Sequence, residues 1–163
     1  MFPAILQWVE RIRRDHPWAP GSVLEVGSFN VNGSPRSLFK DATSYIGVDL
    51  RAGPDVDEIV DGHDLVSWAA GRWFDTVLCF ECLEHDPKFW LTVRSMREVL
   101  CDGGHLLVSV PTFGFPVHRY PLDCYRLGED AFRSYVFTGM QIVHIGTASA
   151  NKTSRSICGC AIK

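Results

Sequence analysis

The chain has 163 residues, of which 16 are basic and 19 acidic, with a formal net charge of −3 at pH 7. This balance argues against a basic face for nucleic acid or an anionic membrane, so neither partner is expected. The length and the 46% hydrophobic content predict a single globular domain, 1–163, and no apolar run approaches the roughly eighteen residues of a membrane span.

The N-terminal segment predicts an amphipathic helix over residues 2–14, within a lead-in that ends near residue 20. Its apolar side chains Ile5, Trp8, Val9 and Ile12 recur at helical spacing and form one stripe. The segment lacks the basic lead and apolar core of a secretory signal peptide, so a cytoplasmic location is expected.

Six cysteines raise the possibility of a disulfide or zinc site. Cys79 and Cys158 lie in apolar strand-like runs, where cysteine commonly acts as a small buried hydrophobe. The spacing between Cys158 and Cys160 is shorter than in the usual zinc knuckle. We therefore expect reduced thiols and no metal.

Apolar runs and helix-like segments alternate along the rest of the chain. The predicted strands are 22–26, 45–49, 59–61, 74–81, 105–110, 140–146 and 156–162. The predicted helices are 34–40, 64–70 with Asp64 as its cap, 86–102 with Phe89, Val93, Met96 and Leu100 on its inner face, and 129–137.

This alternation predicts an α/β fold: a doubly wound, Rossmann-like sheet with helices on both faces. The last two strands are joined by the short polar segment 149–154, which favours an antiparallel hairpin at the end of a mostly parallel sheet. In such sheets ligands bind at the carboxyl ends of the strands.

Strand ends also hold the residues suited to a ligand. The first strand ends at Val26, and Gly27 begins a run of small and turn-forming residues that leads to a helix start at Ser34. This arrangement exposes backbone N–H groups to a nucleotide-like ligand. Asp49 ends the second strand and Asp61 the third. The pattern predicts a cofactor site.

In their order and spacing these segments resemble the motifs of class I S-adenosylmethionine-dependent methyltransferases, of the methyltransferase type 11 or ubiquinone-biosynthesis-like small-molecule group. The segments that carry the resemblance are 23–27, 45–49, 60–65, 74–85 and 97–104.

The resemblance implies S-adenosylmethionine as cofactor. Glu25 is expected to face its ammonium group, Asp49 to accept the ribose hydroxyls, and Asp61 with the Gly62 N–H to hold adenine. The full set of cofactor-binding residues implied is Glu25, Gly27, Ser28, Asp49, Leu50, Asp61, Gly62 and Glu81. Alternatively, Glu25 bonds to nearby backbone N–H groups and Asp49 caps the next segment.

One position departs from the family pattern: Phe29 stands where a second glycine is usual. The departure also counts against a nicotinamide dinucleotide, whose pyrophosphate needs close backbone approach. S-adenosylmethionine has no phosphate, so its site tolerates a bulkier turn. Residues 30–33 are expected to supply the left-handed backbone instead.

Catalysis is expected at the segment after the fourth strand and in the long irregular segment 112–127. Methyl transfer requires alignment, and requires a base only where the acceptor loses a proton. Glu81, Glu84 and His85 lie in the first segment, and His118 and Asp123 in the second.

We select His85, His118 and Asp123 as the candidate catalytic residues. In the alternative interpretation the segment 112–127 is a lid packed by its own aromatic residues, with Asp123 paired to Arg119 or Arg126.

The sequence thus predicts methylation of a small-molecule acceptor at oxygen or nitrogen, with a sugar or glycan precursor as one acceptor class. The alternative is a non-catalytic methyltransferase-like module that binds the cofactor or a partner protein. A nicotinamide-dependent oxidoreductase is a weaker third interpretation.

No separate substrate domain is evident. We therefore expect the N-terminal helix and the long segment to form the acceptor pocket, or a second subunit of a homodimer to complete it.

Overall fold

The apolar runs form the strands of one seven-stranded sheet in the computed structural model, which describes residues 3–149, 151 and 153–163. The strands are β1 (Ser22–Val26), β2 (Ser44–Asp49), β3 (Glu58–Ile59), β4 (Phe74–Phe80), β5 (Leu100–Pro111), β6 (Gln141–Ser149) and β7 (Arg155–Ile162). Their order is β3-β2-β1-β4-β5-β7-β6. The first five are parallel, and β7 pairs antiparallel with β5 and β6, which confirms the predicted mostly parallel sheet and its hairpin.

Along the described residues, four α-helices and several shorter turns precede or connect the strands. The α-helices are α1 (Pro3–Asp15), α2 (Leu65–Ala69), α3 (Phe89–Val99) and α4 (Glu129–Ala131), the last continuing as a π-helical turn, Phe132–Val136. Three 3₁₀ turns lie at Pro35–Phe39, Gly62–Asp64 and Leu83–His85.

The sheet is covered on both faces, because the buried side chains of its central strands alternate between two hydrophobic clusters. Leu24 and Val26 face α2, α3 and the π-helical turn, whereas Val23 faces α1 and the 3₁₀ turn Pro35–Phe39. The predicted stripe of α1 is buried as expected. The two helical layers fix the positions of the strand ends and of the segments that follow them.

The predicted boundaries differ from the structure mainly in the short helices. The prediction that Asp64 caps a helix is wrong: its side chain makes no capping hydrogen bond, and Asp61 caps instead by accepting the His63 N–H at 2.9 Å. The reason is that the segment begins one turn earlier, as the 3₁₀ turn Gly62–Asp64. The predicted inner face of α3 is buried, but Leu100 already belongs to β5.

Part of two predicted segments lies outside the described residues: residue 2 of the first helix, and residues 150 and 152 of the polar hairpin connection. No helix in the described part of the chain is long and apolar enough to cross a membrane.

Gly159 of β7 provides a test of this packing. A Cβ at this position would lie 2.4 Å from the Phe137 ring and 2.8 Å from the Phe132 ring. We expect Gly159→Ala to lower the free energy of unfolding by about 1–3 kcal/mol, because the extra methyl group overpacks the core. Urea denaturation measures the change.

Gly71→Ala is the matched control, because no atom lies within 4 Å of its Cβ position and only its φ of +88° opposes the substitution. A Gly159→Ala protein as stable as wild type would contradict the packing described here.

Candidate functional site

The turn after β1 lies at the carboxyl edge of the sheet, and Gly27 is its critical residue. Its φ is +78°, and a Cβ there would lie 2.6 Å from the Cys82 sulfur, so a side chain is excluded on two grounds. The N–H groups of Gly27 and Ser28 both donate to the Val48 carbonyl, at 2.9 and 3.1 Å. The turn is thereby fixed to the end of β2, and the buried Ser28 hydroxyl has no hydrogen-bond partner among the described residues.

Asp49, at the end of β2, faces the same turn. One of its carboxylate oxygens accepts the Phe29 N–H at 3.2 Å. Its second oxygen has no partner among the described residues, so it can accept a hydrogen from a ligand. The alternative in which Asp49 caps the following segment is not what the structure shows, because its partner belongs to the preceding turn.

Phe29 stands at the position where the family pattern usually has a second glycine, and its side chain fills the space beside the turn. Its ring lies against Gly53, where a Cβ would approach it to 2.0 Å. The Arg51 guanidinium lies 4.6 Å from the Phe29 ring centroid and 4.7 Å from that of Tyr120. This cation–π stack links the turn to the long segment 112–127. The sequence did not predict this contact.

The left-handed backbone expected in residues 30–33 is found at Gly33, with φ +117°, and not at either asparagine. Asn30 stabilises the turn through its side chain: its carbonyl oxygen accepts the Gly33 N–H at 2.8 Å, and its amide nitrogen donates to Asp55 at 2.7 Å.

Glu25 of β1 is buried, and its carboxylate accepts a hydrogen bond of 2.7 Å from the Tyr45 hydroxyl. The predicted alternative, a bond to backbone N–H groups, is therefore replaced by a side-chain contact. Burial raises the pKa of Glu25 to about 8, although the Tyr45 hydrogen bond opposes the shift. A cationic ligand group nearby would favour the ionised form.

The ends of β2 and β3 combine apolar and polar groups. Leu50 and Ile59 are large apolar side chains that are 70% and 65% exposed. Asp61 follows β3, and Gly62 packs so closely on Thr92 of α3 that a Cβ would lie 2.8 Å from that side chain. The glycine is thus required for packing, whatever its N–H contacts.

Glu81, predicted to bind cofactor, lies just beyond β4 with φ +50°. Its two carboxylate oxygens accept hydrogen bonds from the hydroxyls of Ser109 and Ser156, at 2.9 and 3.0 Å. Burial, followed by the nearby Glu84 carboxylate, raises the pKa of Glu81 to about 8. These contacts direct Glu81 toward β5 and β7, and its contact with cofactor stays a prediction.

Glu84, in the 3₁₀ turn after β4, lies beside two of the selected catalytic candidates, His85 and His118. Glu84 is fully buried, and its Oε1 lies 3.5 Å from His85 Nε2 and 3.4 Å from Nε2 of His118. The Glu84 carboxylate raises the pKa of His118, against the opposing effect of burial. The sequence placed these residues in the two correct segments but did not predict that they meet.

Asp123 contacts the cluster through His118. It forms an ion pair with Arg126, as one predicted alternative held, and that guanidinium strongly lowers the pKa of Asp123. Its Oδ2 accepts the His118 N–H at 2.7 Å and lies 3.7 Å from His118 Nδ1. Asp123 therefore contacts His118 and Arg126, and its catalytic role stays a prediction.

The long segment is attached to the turn after β4 through backbone groups. The His85 Nδ1 lies within hydrogen-bond distance of the Leu122 carbonyl, and the Cys124 N–H donates to the Glu84 carbonyl at 2.7 Å. The Tyr125 hydroxyl donates to the Pro87 carbonyl at 2.8 Å. The segment is consequently an ordered loop held against the cluster.

All six cysteines of the chain are free.

Comparison with solved structures identifies the fold. The N-methyltransferase NodS from Bradyrhizobium japonicum, in complex with S-adenosylhomocysteine, matches with a TM-score of 0.74 over 99% of this chain and 88% of its own, at 13% identity. An S-adenosylmethionine-dependent methyltransferase from Clostridium acetobutylicum matches with a TM-score of 0.70 over 99% and 92%, at 10% identity.

A third match is the 1,6-didemethyltoxoflavin-N1-methyltransferase of Burkholderia thailandensis, with bound 1,6-didemethyltoxoflavin and S-adenosylhomocysteine. It has a TM-score of 0.69 over 99% of this chain and 78% of its own, at 17% identity. No protein-family model and no curated protein sequence matches the chain.

The buried ion pair of the long segment yields a prediction. We expect Arg126→Gln to increase chymotrypsin cleavage after Phe113 by about tenfold or more, because it leaves the buried Asp123 carboxylate without its cation and frees the segment to open. Timed digestion followed by mass spectrometry measures the rate.

Arg119→Gln, which changes an exposed arginine of the same segment, is the control and should digest like wild type. Equal cleavage rates in the two variants would show that the Asp123–Arg126 pair does not hold the segment.

Proposed function

We propose that this chain, which has the class I methyltransferase fold, is an S-adenosylmethionine-dependent enzyme that methylates a small-molecule acceptor at oxygen or nitrogen. The observation that carries the proposal is the juxtaposition, at one sheet edge, of the Gly27 turn with the unsatisfied oxygen of Asp49. The three solved methyltransferases support it through their fold.

The residues present suit the proposed cofactor from one end to the other. Asp49 offers a carboxylate oxygen to the ribose diol, and exposed Leu50 and Ile59 offer apolar surface to adenine. Asp61 has one carboxylate oxygen left after capping its turn, and it can accept from the adenine amino group.

The methionine end would lie over the Gly27 turn. Glu25 is the acid beneath this turn, and the cofactor's ammonium group would stabilise its ionised form. The buried Ser28 hydroxyl, which has no partner among the described residues, is a further polar group at this end. Tyr45 holds Glu25 in place.

When bound, the cofactor supplies an electrophilic methyl group: a lone pair of the acceptor oxygen or nitrogen forms the new bond to carbon, while the carbon–sulfur electron pair stays on sulfur. The chain's task is then alignment and exclusion of water. We place the acceptor beside His85 and His118, since His85 lies just past the end of β4 and the ordered segment 112–127 brings His118 to the same carboxylate, Glu84. Here the acceptor's proton can be removed.

A second candidate function is a cofactor-binding module without catalysis. Phe29, in place of the usual glycine, is the observation that favours it. Turnover of S-adenosylmethionine carrying a labelled methyl group, tested over a panel of sugars, glycan precursors and amines, distinguishes the two. Label transfer to any acceptor supports the enzyme.

We further propose that the sheet and its two helical layers act as one domain. The six free thiols support a reducing compartment such as the cytoplasm. A homodimer remains our proposal for completing the acceptor pocket.

Binding to the ribose can be tested at Asp49. We expect Asp49→Ala to weaken S-adenosylhomocysteine binding by about 1.5–3 kcal/mol, because charge-assisted hydrogen bonds are lost. Isothermal calorimetry should show one site in the wild type.

Asp64→Ala removes an exposed acid near the same edge and is the control. The cofactor assignment is wrong if wild-type protein does not bind, or if Asp49→Ala binds equally well while its circular dichroism shows an intact fold.

Acceptor activation can be tested at the histidines. We expect His85→Ala and His118→Ala to leave affinity for S-adenosylhomocysteine nearly unchanged, because both lie away from Asp49. At least one of them should lower turnover by roughly 10²–10⁴-fold, as loss of acceptor activation does.

The readout is single-turnover label transfer to an acceptor found in the panel, with His16→Ala, an exposed histidine, as control. Wild-type turnover in both histidine variants would rule out the assignment of His85 and His118.

A further inference from the structure

The Glu84–His85–His118 cluster contains a buried carboxylate that makes no hydrogen bond with the described residues. Glu84 is 0% exposed, yet neither of its carboxylate oxygens has a hydrogen-bond partner among the described residues. Two imidazole nitrogens lie beside it at 3.4 and 3.5 Å and leave the buried charge without an ordinary hydrogen bond, so this side chain can still accept a cation. One possible ligand atom from each of the three residues lies within 4.8 Å of the others.

The spacing of these atoms matches ligands that share an ion better than it matches direct hydrogen bonds. Oε1 of Glu84 is 3.5 Å from one imidazole Nε2 and 3.4 Å from the other. Ordinary N–H···O contacts are about 2.7–3.2 Å long. Ligands on a tetrahedral ion with bonds of about 2.1 Å lie about 3.4 Å apart.

The groups at the far side of each ring point the same way. The His85 Nδ1 faces the Leu122 carbonyl, which can only accept, so the proton of neutral His85 lies on Nδ1 and the Nε2 lone pair faces Glu84. The His118 Nδ1 lies 3.7 Å from Asp123, whose carboxylate is held by Arg126. Such outer carbonyl and carboxylate groups commonly orient metal-binding histidines.

We propose that Glu84, His85 and His118 bind a divalent first-row metal ion such as Zn²⁺, with three protein ligands and at least one open coordination position. Two imidazoles and one carboxylate form a ligand set that such ions accept. The site itself is independent of methyl transfer. That its open position binds the acceptor's oxygen rests on the proposed function.

This assignment gives the two histidines a specific role. A bound cation lowers the pKa of a coordinated hydroxyl, so the acceptor would release its proton to solvent water and attack as the alkoxide, without an imidazole acting as base. The expected loss of turnover in the histidine variants then follows from loss of the ion.

The test uses Co²⁺ alone, added to the full chain after dialysis against a chelator and without cofactor. We expect one equivalent to produce visible d–d absorption of a low-coordinate site. His118→Asn, at a partly exposed position, should weaken binding by about 100-fold or more, and Asp123→Asn by about 10–100-fold through its effect on ring orientation.

Glu84→Gln should also lose the signal, and its urea midpoint shows whether it folds; His118→Asn keeps the test decisive if it does not. His16→Asn should bind as wild type. The proposal is overturned if wild type gives no signal, if His118→Asn retains it, or if a thiolate-to-cobalt band that disappears in Cys124→Ser accounts for binding.

Calorimetry with S-adenosylhomocysteine on the same chelator-treated protein separates the two proposals. Cofactor binding without Co²⁺ binding removes only the metal site, and Co²⁺ binding without cofactor binding removes only the methyltransferase assignment.

Discussion

The contact between Gly27 and Cys82 is the constraint on which the site depends. Because a Cβ at Gly27 would lie 2.6 Å from the Cys82 sulfur, the turn after β1 and the start of the 3₁₀ turn after β4 must pack directly against each other. The first turn contacts Asp49, and the second contains Glu84 and His85. A single close contact thus brings the proposed cofactor end and the proposed acceptor end together, and the parallel pairing of β1 with β2 and β4 keeps them so.

The long segment 112–127 completes the site by binding to both halves. Tyr120 stacks on Arg51 at the cofactor end, and His118 faces Glu84 at the acceptor end. The buried Asp123–Arg126 pair stiffens the segment between these points. In the methyltransferase that we propose, an ordered covering loop of this kind would exclude water from the site.

Much of the framework could be predicted because burial leaves a pattern in the sequence. The apolar runs predicted the strands, and the spacing of Ile5 and Trp8 predicted the buried stripe of α1. The meeting of His118 with Glu84 could not be predicted, since it depends on the path of an irregular segment set by hydrogen bonds between distant residues. For the same reason the expectation of no metal considered the cysteines but not two histidines that meet at one buried carboxylate.

The most direct measurement is a crystal structure of the protein with S-adenosylhomocysteine. Our account predicts ligand density across the Gly27 turn, with the ribose hydroxyls on Asp49 and the sulfur directed toward the Glu84–His85–His118 cluster. Density at another surface, or a ribose held away from Asp49 with the sulfur turned from the cluster, would contradict it.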